Sequence, residues 1–310
     1  VQDKVLVPVQ EIQGCSVDCL AFSQDGRFLA AGGQDGQVKI WQFQSGEIQL
    51  ISTLDNQSVW VDQMAWSPTR NHLAFSLGRY VQVWDALAGT LETSLGFADS
   101  SVLGIAWHPQ GQYLGLCGYQ GVKIWQTSDW FEDPEILEVP SASLAIAWSM
   151  DGQYIASGNL NRTLLVWEWG SSYPWRMQGF PGKVRQLTWS DSVTKSGTPL
   201  LATCSGDSIV IWEKASDPAI GWRSTILNHH RDSVEAIAFQ PHNLLLASAA
   251  RDGRICLWHR AKRVGQILEG AINGCSCLAW HPQGHQLVTG GESGELLIWL
   301  QEMRGQGFAE

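Results

Sequence analysis

The stretch VDCLAF (17–22), SQDG (23–26), RFLAAGG (27–33), QDG (34–36), QVKIW (37–41) decides the fold, because the chain repeats its grammar to the end. An apolar strand closes on an aromatic, a turn follows, a second apolar strand runs into glycines, and a third strand ends in Trp. The last copy reads CSCLAW (275–280), HPQG, HQLVTGG, ESG, ELLIW (295–299). Between them the first phrase returns as VDQMAW (61–66), VLGIAW (102–107), SLAIAW (143–148), VRQLTW (184–189) and VEAIAF (234–239). The closing residues Trp41, Trp84, Trp125, Trp167, Trp212, Trp258 and Trp299 are spaced 43, 41, 42, 45, 46 and 41 apart. A fixed period of this size is one supersecondary unit used repeatedly.

The period alone admits helical arrays, but the local pattern does not. QVKIW, YVQVW, GVKIW and SIVIW alternate with period two and are rich in β-branched residues, which suits a pleated strand. Turns built on DG, QG and SG at short intervals suit antiparallel connections. These copies resemble WD40 repeats over roughly residues 5–300. The resemblance implies an all-β fold: one seven-bladed β-propeller of four-stranded antiparallel blades, taking residues 1–310 as a single domain. It also implies that the N-terminal segment VLVPVQEIQG (5–14) supplies the outer strand of the last blade and closes the ring, leaving a short polar tail at 300–310.

The individual motifs are eroded. The residue after the closing Trp is Asp only at Asp85; elsewhere it is Gln42, Gln126, Glu168, Glu213, His259 and Leu300. Only in the sixth copy is the family's buried hydrogen-bonded set complete, as His230, Ser248, Asp252 and Trp258. Lost hydrogen bonds cost about 1 kcal/mol each, a loss spread over many repeats.

Composition agrees with a packed β architecture: 17 Trp and 32 Gly with only 16% charged residues, the reverse of a disordered chain. The net charge is −10, which disfavours a nucleic-acid partner, since phosphate contacts need an electropositive face. The charge is uneven: residues 176–263 hold 12 of the 20 Lys and Arg against seven acids, a local net of +5. Seven Cys make no CxxC array. Cys19, Cys117, Cys204 and Cys256 sit in apolar strands, where a thiol is a small buried hydrophobe. Cys275 and Cys277 face one side of a strand, which disfavours a disulfide between them. Free thiols suit a reducing, cytoplasmic compartment; the start at Val1 leaves room for a leader or a longer parent chain. No run of ~18 apolar residues predicts membrane insertion.

The resemblance implies a face built by the connections entering each first strand and the turns before each third strand. The former positions include Ser16 and Asp18, Trp60 and Asp62, Leu103, Leu144, Lys183 and Arg185, Glu235 and Ser276; the latter include Leu77, Tyr119, Leu160, Arg251 and Glu292. Trp60, Leu77, Leu103, Tyr119, Leu144 and Leu160 are expected to form an apolar arc, and Lys183, Arg185 and Arg251 a basic one. Asp62 stands on the same face. Aromatics and Arg dominate interface energetics, so this face is expected to bind partner proteins, with the chain a monomer or a subunit of a larger assembly. Leu103 and Leu144 have a blander reading, as plugs of the central channel. Trp130 and Phe131, in the acidic loop DWFEDPEILE (129–138), form a secondary contact candidate.

No catalytic residues, metal or cofactor are expected. SVTK (192–195) matches an SxxK pattern but lies in a polar turn, where the Lys is not one helical turn from the Ser. His108-Pro109 and His281-Pro282 occupy equivalent turns and read as structural. The alternative is a small-ligand binder or enzyme using Asp18, Asp62, Glu235 and Glu292 at the channel mouth, where clustered carboxylates acquire shifted pKa values.

Overall fold

A computed structural model describes residues 16–44, 47–97, 100–119, 121–217 and 219–300. Among them every regular element is a β-strand. The first sheet comprises β1 (Val17–Phe22), β2 (Phe28–Gly33), β3 (Gln37–Gln44) and β4 (Glu47–Asp55). The second comprises β5 (Met64–Trp66), β6 (His72–Leu77), β7 (Tyr80–Asp85) and β8 (Thr90–Gly96). The third comprises β9 (Val102–Trp107), β10 (Tyr113–Gly118), β11 (Gly121–Gln126) and β12 (Glu135–Leu137). The fourth contains β13 (Ser143–Trp148), β14 (Tyr154–Asn159), β15 (Leu164–Glu168) and β16 (Trp175–Met177), and the fifth β17 (Gln186–Val193), β18 (Pro199–Ser205), β19 (Ser208–Lys214) and β20 (Trp222–Asn228). The sixth contains β21 (Val234–Phe239), β22 (Leu246–Ala250), β23 (Arg254–His259) and β24 (Arg263–Glu269). The seventh shows three strands among the described residues, β25 (Cys275–Trp280), β26 (Gln286–Gly291) and β27 (Leu296–Leu300). The segment 5–14, expected to be its fourth strand, and the tail from 301 lie outside the described residues. Every sheet is a meander in which sequence neighbours pair, the outcome that tight Gly-containing turns favour.

Two compact units divide the chain, one within residues 1–119 and 123–136 and the other made of 120–122 and 137–310. Within the first, Phe28, Ile40, Val61, Trp66, Leu73 and Phe75 fill the space between the first two sheets. Val83, Leu95, Phe97, Leu114, Leu116 and Trp125 do the same between the second and third. In the second unit the corresponding layers centre on Tyr154, Val166 and Trp189, on Ile209, Phe239 and Leu246, and on Ile255, Leu257 and Leu287.

Hydrogen bonds stitch neighbouring sheets at one repeat position. The aromatic that ends a first strand donates its indole N–H to a backbone carbonyl of the preceding repeat: Trp66 to Ala21 at 2.9 Å, Trp107 to Ala65 at 3.0 Å, Trp189 to Ala147 at 3.2 Å and Trp280 to Ala238 at 3.1 Å. A buried Trp needs a partner for that N–H, and the outermost carbonyls of the neighbouring first strand supply it.

A β-bulge recurs at the second residue of the first strand. In five sheets the register slips there, leaving Asp18, Leu103, Leu144, Glu235 and Ser276 without a partner on the second strand. A bulge re-aims the extra side chain out of the ladder. These five are positions the repeat pattern assigns to the expected binding face, so the backbone defect falls where that face is expected.

Candidate functional site

In the first unit the face is organised around Asp18. Its carboxylate accepts the Ser16 hydroxyl at 3.0 Å and the indole N–H of Trp60 at 2.5 Å. Trp60 is 53% exposed, so an aromatic surface is presented to solvent while its orientation is fixed by a charge-assisted bond. Asp62, also exposed, accepts the Ser76 hydroxyl at 2.7 Å. Beneath them the Cys19 thiol points at the Val61 carbonyl, 3.3 Å away. Burial first, then the charges of Asp62 and Asp18, push its pKa up to about 12, which leaves it an inert thiol. Tyr119 is exposed, with its backbone N–H held by the Ser100 hydroxyl. Leu77 is half-buried and packs against the core between the first two sheets, and Leu103 is half-buried.

In the second unit Leu160 is half exposed and Leu144 half-buried. Lys183 and Arg185 are exposed, and among the described residues neither has an ion-pair partner within 4 Å. The segment holding them is pinned by the Val184 N–H to the Asn159 carbonyl at 3.1 Å, which sets it beside the Leu160 turn. Arg251 differs from the free cation that its place in the sequence suggests. Its Nε lies 2.7 Å from Glu235 and 3.5 Å from Glu292, carboxylates 16 and 41 positions away, one at the bulge of β21 and one in the β26–β27 turn. It is therefore held between two carboxylates rather than free as a member of a basic arc.

The secondary loop also divides. Trp130 packs edge-on against Trp107 with ring centroids 6.3 Å apart and joins the core between the second and third sheets. Phe131 is 97% exposed, so only one of the two aromatics stands free for contact.

The structural set of the sixth sheet forms one continuous chain. Trp258 Nε1 donates to Ser248 Oγ at 2.8 Å, Ser248 lies 2.8 Å from His230 Nε2, and His230 Nδ1 is 3.3 Å from Asp252. One proton arrangement satisfies every group: the Ser hydroxyl donates to Nε2 and the neutral imidazole donates from Nδ1 to the carboxylate. Burial chiefly holds the His230 pKa below its ordinary 6.5, with Asp252 pulling the other way. The fourth sheet builds a substitute that the sequence reading missed. Ser157, at the repeat position of Ser248, bonds Ser143 at 2.7 Å and Asn159 at 2.7 Å, and Asn159 continues to Thr163 at 3.1 Å. The signal was present in the equivalent spacing of Ser157 to Trp167 and Ser248 to Trp258.

The carboxylates of the enzymatic alternative are each engaged: Asp18 by Trp60, Asp62 by Ser76, and Glu235 with Glu292 by Arg251. Among the described residues no group of three or more His, Cys, Asp and Glu is placed to hold a metal. SVTK runs from the end of β17 into a turn in which Thr194 and Ser196 bond one another at 2.7 Å. His108 and His281 each accept the backbone N–H two residues on, at 3.3 and 3.1 Å, which is a turn-capping role. The described cysteines are all free thiols, and among the described residues no helix is long and apolar enough to cross a membrane.

Comparison with known proteins matches the family model "WD domain, G-beta repeat" at residues 6–42, 138–168, 221–259 and 263–299. Over 93 residues, 27% of this chain and 7% of the relative, the sequence is 32% identical to apoptotic protease-activating factor 1 of Homo sapiens. Over 69 residues, 22% of this chain and 20% of the relative, it is 33% identical to small ribosomal subunit protein RACK1 of Caenorhabditis elegans. It is 34% identical over 115 residues, 36% of this chain and 23% of the relative, to the chromatin assembly factor 1 subunit FAS2 homolog of Oryza sativa subsp. japonica. The matched stretches thus span a quarter or less of each of these relatives. Among solved structures, a chain of the mitotic checkpoint complex superposes with a TM-score of 0.75 over 92% of this chain and 90% of that one, at 20% identity, which establishes the fold. The repeat period, the seven antiparallel sheets and these matches together show a chain of WD40 repeats with the seven-bladed β-propeller fold.

Proposed function

We propose that the chain is a non-catalytic scaffold that binds partner proteins or peptides through the face carrying the bulged residues. The observation that carries this reading is Trp60, exposed yet locked by Asp18. Large aromatics and Arg supply most interface energy, and a side chain already fixed in place loses little entropy on binding. Tyr119 and Leu160 add exposed apolar surface, and Lys183 and Arg185 add cations free to meet acidic groups. The scaffold reading is favoured over a ligand-binding or enzymatic channel mouth because each candidate carboxylate already has a partner inside the fold. The names of the relatives, a ribosomal subunit protein and a chromatin assembly factor subunit, and of the structural neighbour, a checkpoint complex, are those of components of assemblies. On this reading the chain is a monomer alone or a subunit of a larger assembly, in the reducing cytoplasm that its free thiols suit. Phe131 is a second contact point outside that face.

The test is affinity capture from the native source with wild type beside a Trp60→Ala, Arg185→Glu double variant. Both side chains are exposed, so the melting temperature is expected to stay within about 1 °C. A partner held by the wild type and lost by the variant supports the reading. A partner held equally by both moves the site to the loop at Phe131.

A further inference from the structure

Between the fourth and fifth sheets, at the end where β15, β19 and the β17–β18 turn meet, lies a cavity of about 390 Å³. It is lined by Glu168 and Trp175 from the fourth sheet, Ser196 and Thr198 from the β17–β18 turn, and Lys214, Ala215, Ser216 and Gly221 from the fifth sheet. Its volume falls in the range of small-molecule sites, about 300–1,000 Å³. The proposed scaffold face makes no use of it.

Lys214 is the cation of this cavity, and its position is built rather than incidental. The ammonium lies 4.7 Å from the ring centre of Tyr154 and 5.0 Å from that of Trp175. It donates to the Tyr154 hydroxyl at 2.7 Å and to Glu168 at 3.3 Å. Burial works against its charge, but the Tyr154 and Glu168 oxygens outweigh this and raise its pKa. An ammonium has three N–H donors, and two are used. The Lys214 side chain is 21% exposed and that of Glu168 49%, so the cation is the fixed member of the pair and the carboxylate the one free to turn to water. Ser196 and Thr198, their hydroxyls 2.9 Å apart, also line the cavity, with Ser196 bonded in turn to Thr194 at 2.7 Å, and Ser216 completes the polar wall. The surrounding stretch 176–263 carries 12 basic against seven acidic residues in a chain whose net charge is −10.

We propose that this cavity binds a phosphate monoester, its terminal oxygens taken by the Lys214 ammonium, the Ser196–Thr198 hydroxyl pair and the Ser216 hydroxyl, while Glu168 turns outward. The third Lys214 proton, the one hydroxyl proton that the Thr194–Ser196–Thr198 chain leaves over and that of Ser216 make three donors, one for each terminal oxygen of a phosphoryl group. The volume left beyond the phosphoryl group holds an organic remainder against Trp175, Ala215 and Gly221. That remainder is either a small phosphorylated metabolite or the backbone around a phosphorylated side chain.

Calorimetric titration of the whole chain with glycerol 3-phosphate, a blocked phosphoserine tripeptide and its Asp counterpart tests the assignment. Both phosphorylated probes are expected to bind, and the tighter one names the source. Lys214→Met is expected to weaken binding at least ~10-fold, as loss of a charged hydrogen bond does, and Ser196→Ala with Thr198→Val ~3–10-fold. Glu168→Gln is expected to tighten it ~3-fold, a gain that damage to the fold does not produce. Absence of binding by either phosphorylated probe up to ~20 mM, weaker than any built site of three donors, overturns the proposal. So does equal binding of the Asp peptide, or an affinity unmoved by both Glu168→Gln and the hydroxyl variants.

Discussion

Replacing Ser248 by Ala removes one oxygen and leaves two buried groups without partners. Ser248 is fully buried, Trp258 is 2% exposed and His230 7%. The indole N–H and imidazole Nε2 both end on Ser248 Oγ at 2.8 Å. Water has no room to take its place beside them without repacking, so each group loses about 1–3 kcal/mol of hydrogen bonding. The total is about 2–4 kcal/mol after the His ring relaxes toward Asp252. Unfolding entropy runs at roughly 2.1 cal/mol/K per residue, so for this chain length ~3 kcal/mol lowers the melting temperature by about 5 °C. Trp258→Phe deletes the donor and part of a buried ring, leaves the Ser248–His230 bond intact and is expected to cost about 1–3 kcal/mol, roughly 2–5 °C. Differential scanning calorimetry at pH 7.5 reads both. A Ser248→Ala protein that melts within about 1 °C of wild type refutes the argument that this chain of bonds is a cooperative unit.

The same chain predicts a pH dependence. Since the native state holds His230 neutral, below its ordinary 6.5, the unfolded state takes up the proton first, and stability falls as pH drops below about 6.5. That slope is expected to be shallower in His230→Gln, read as melting temperature across pH 5–7.5 (~0.5 unit steps). Trp189→Phe removes the 3.2 Å bond to the Ala147 carbonyl and part of the stack on Tyr154, whose ring centre is 5.9 Å away. A loss of about 1–3 kcal/mol in urea unfolding is expected, against less than ~0.5 kcal/mol for Tyr173→Ala at a largely exposed site. Deletion of residues 1–14 is expected to cost far more than a fraying terminus, because Leu296, Ile298 and Leu300 stand exposed along one face of β27 and the family pattern assigns 5–14 to that strand's edge; an unchanged melting temperature removes that assignment.

The fold was legible because Trp41, Trp84 and their equivalents mark a period, and because VKIW-like strands alternate cleanly between core and exterior. The proposed face was read only through the repeat pattern, since its residues share a position and not a chemistry. The bulge that re-aims Asp18, Leu103, Leu144, Glu235 and Ser276 left no common residue type to read. Arg251 read as a free cation because its partners stand 16 and 41 positions away, Glu235 at the bulge of its own repeat's first strand and Glu292 in the next repeat, and pairing over such separations is invisible to a local scan. Trp130 and Phe131 read as a pair because adjacency in sequence does not say which of two aromatics the core takes. Lys214 drew no notice at all: its cage of Tyr154 and Trp175 is assembled from residues 60 and 39 positions away.

The indole bonds from Trp66, Trp107, Trp189 and Trp280 place donor and acceptor one period apart, at the same phase of consecutive copies. A tandem duplication of a whole copy that carries both the Trp and the Ala, such as the one ending its first strand in Ala65-Trp66, leaves a Trp for every Ala carbonyl across the new junction. A change of half a period strands a buried donor on one side and an acceptor on the other. The gene can therefore lengthen by such a copy with no compensating mutation at these sites, whereas copies whose first strand ends in Phe22 or Phe239 bring no donor and recombination out of phase is penalised in the first generation.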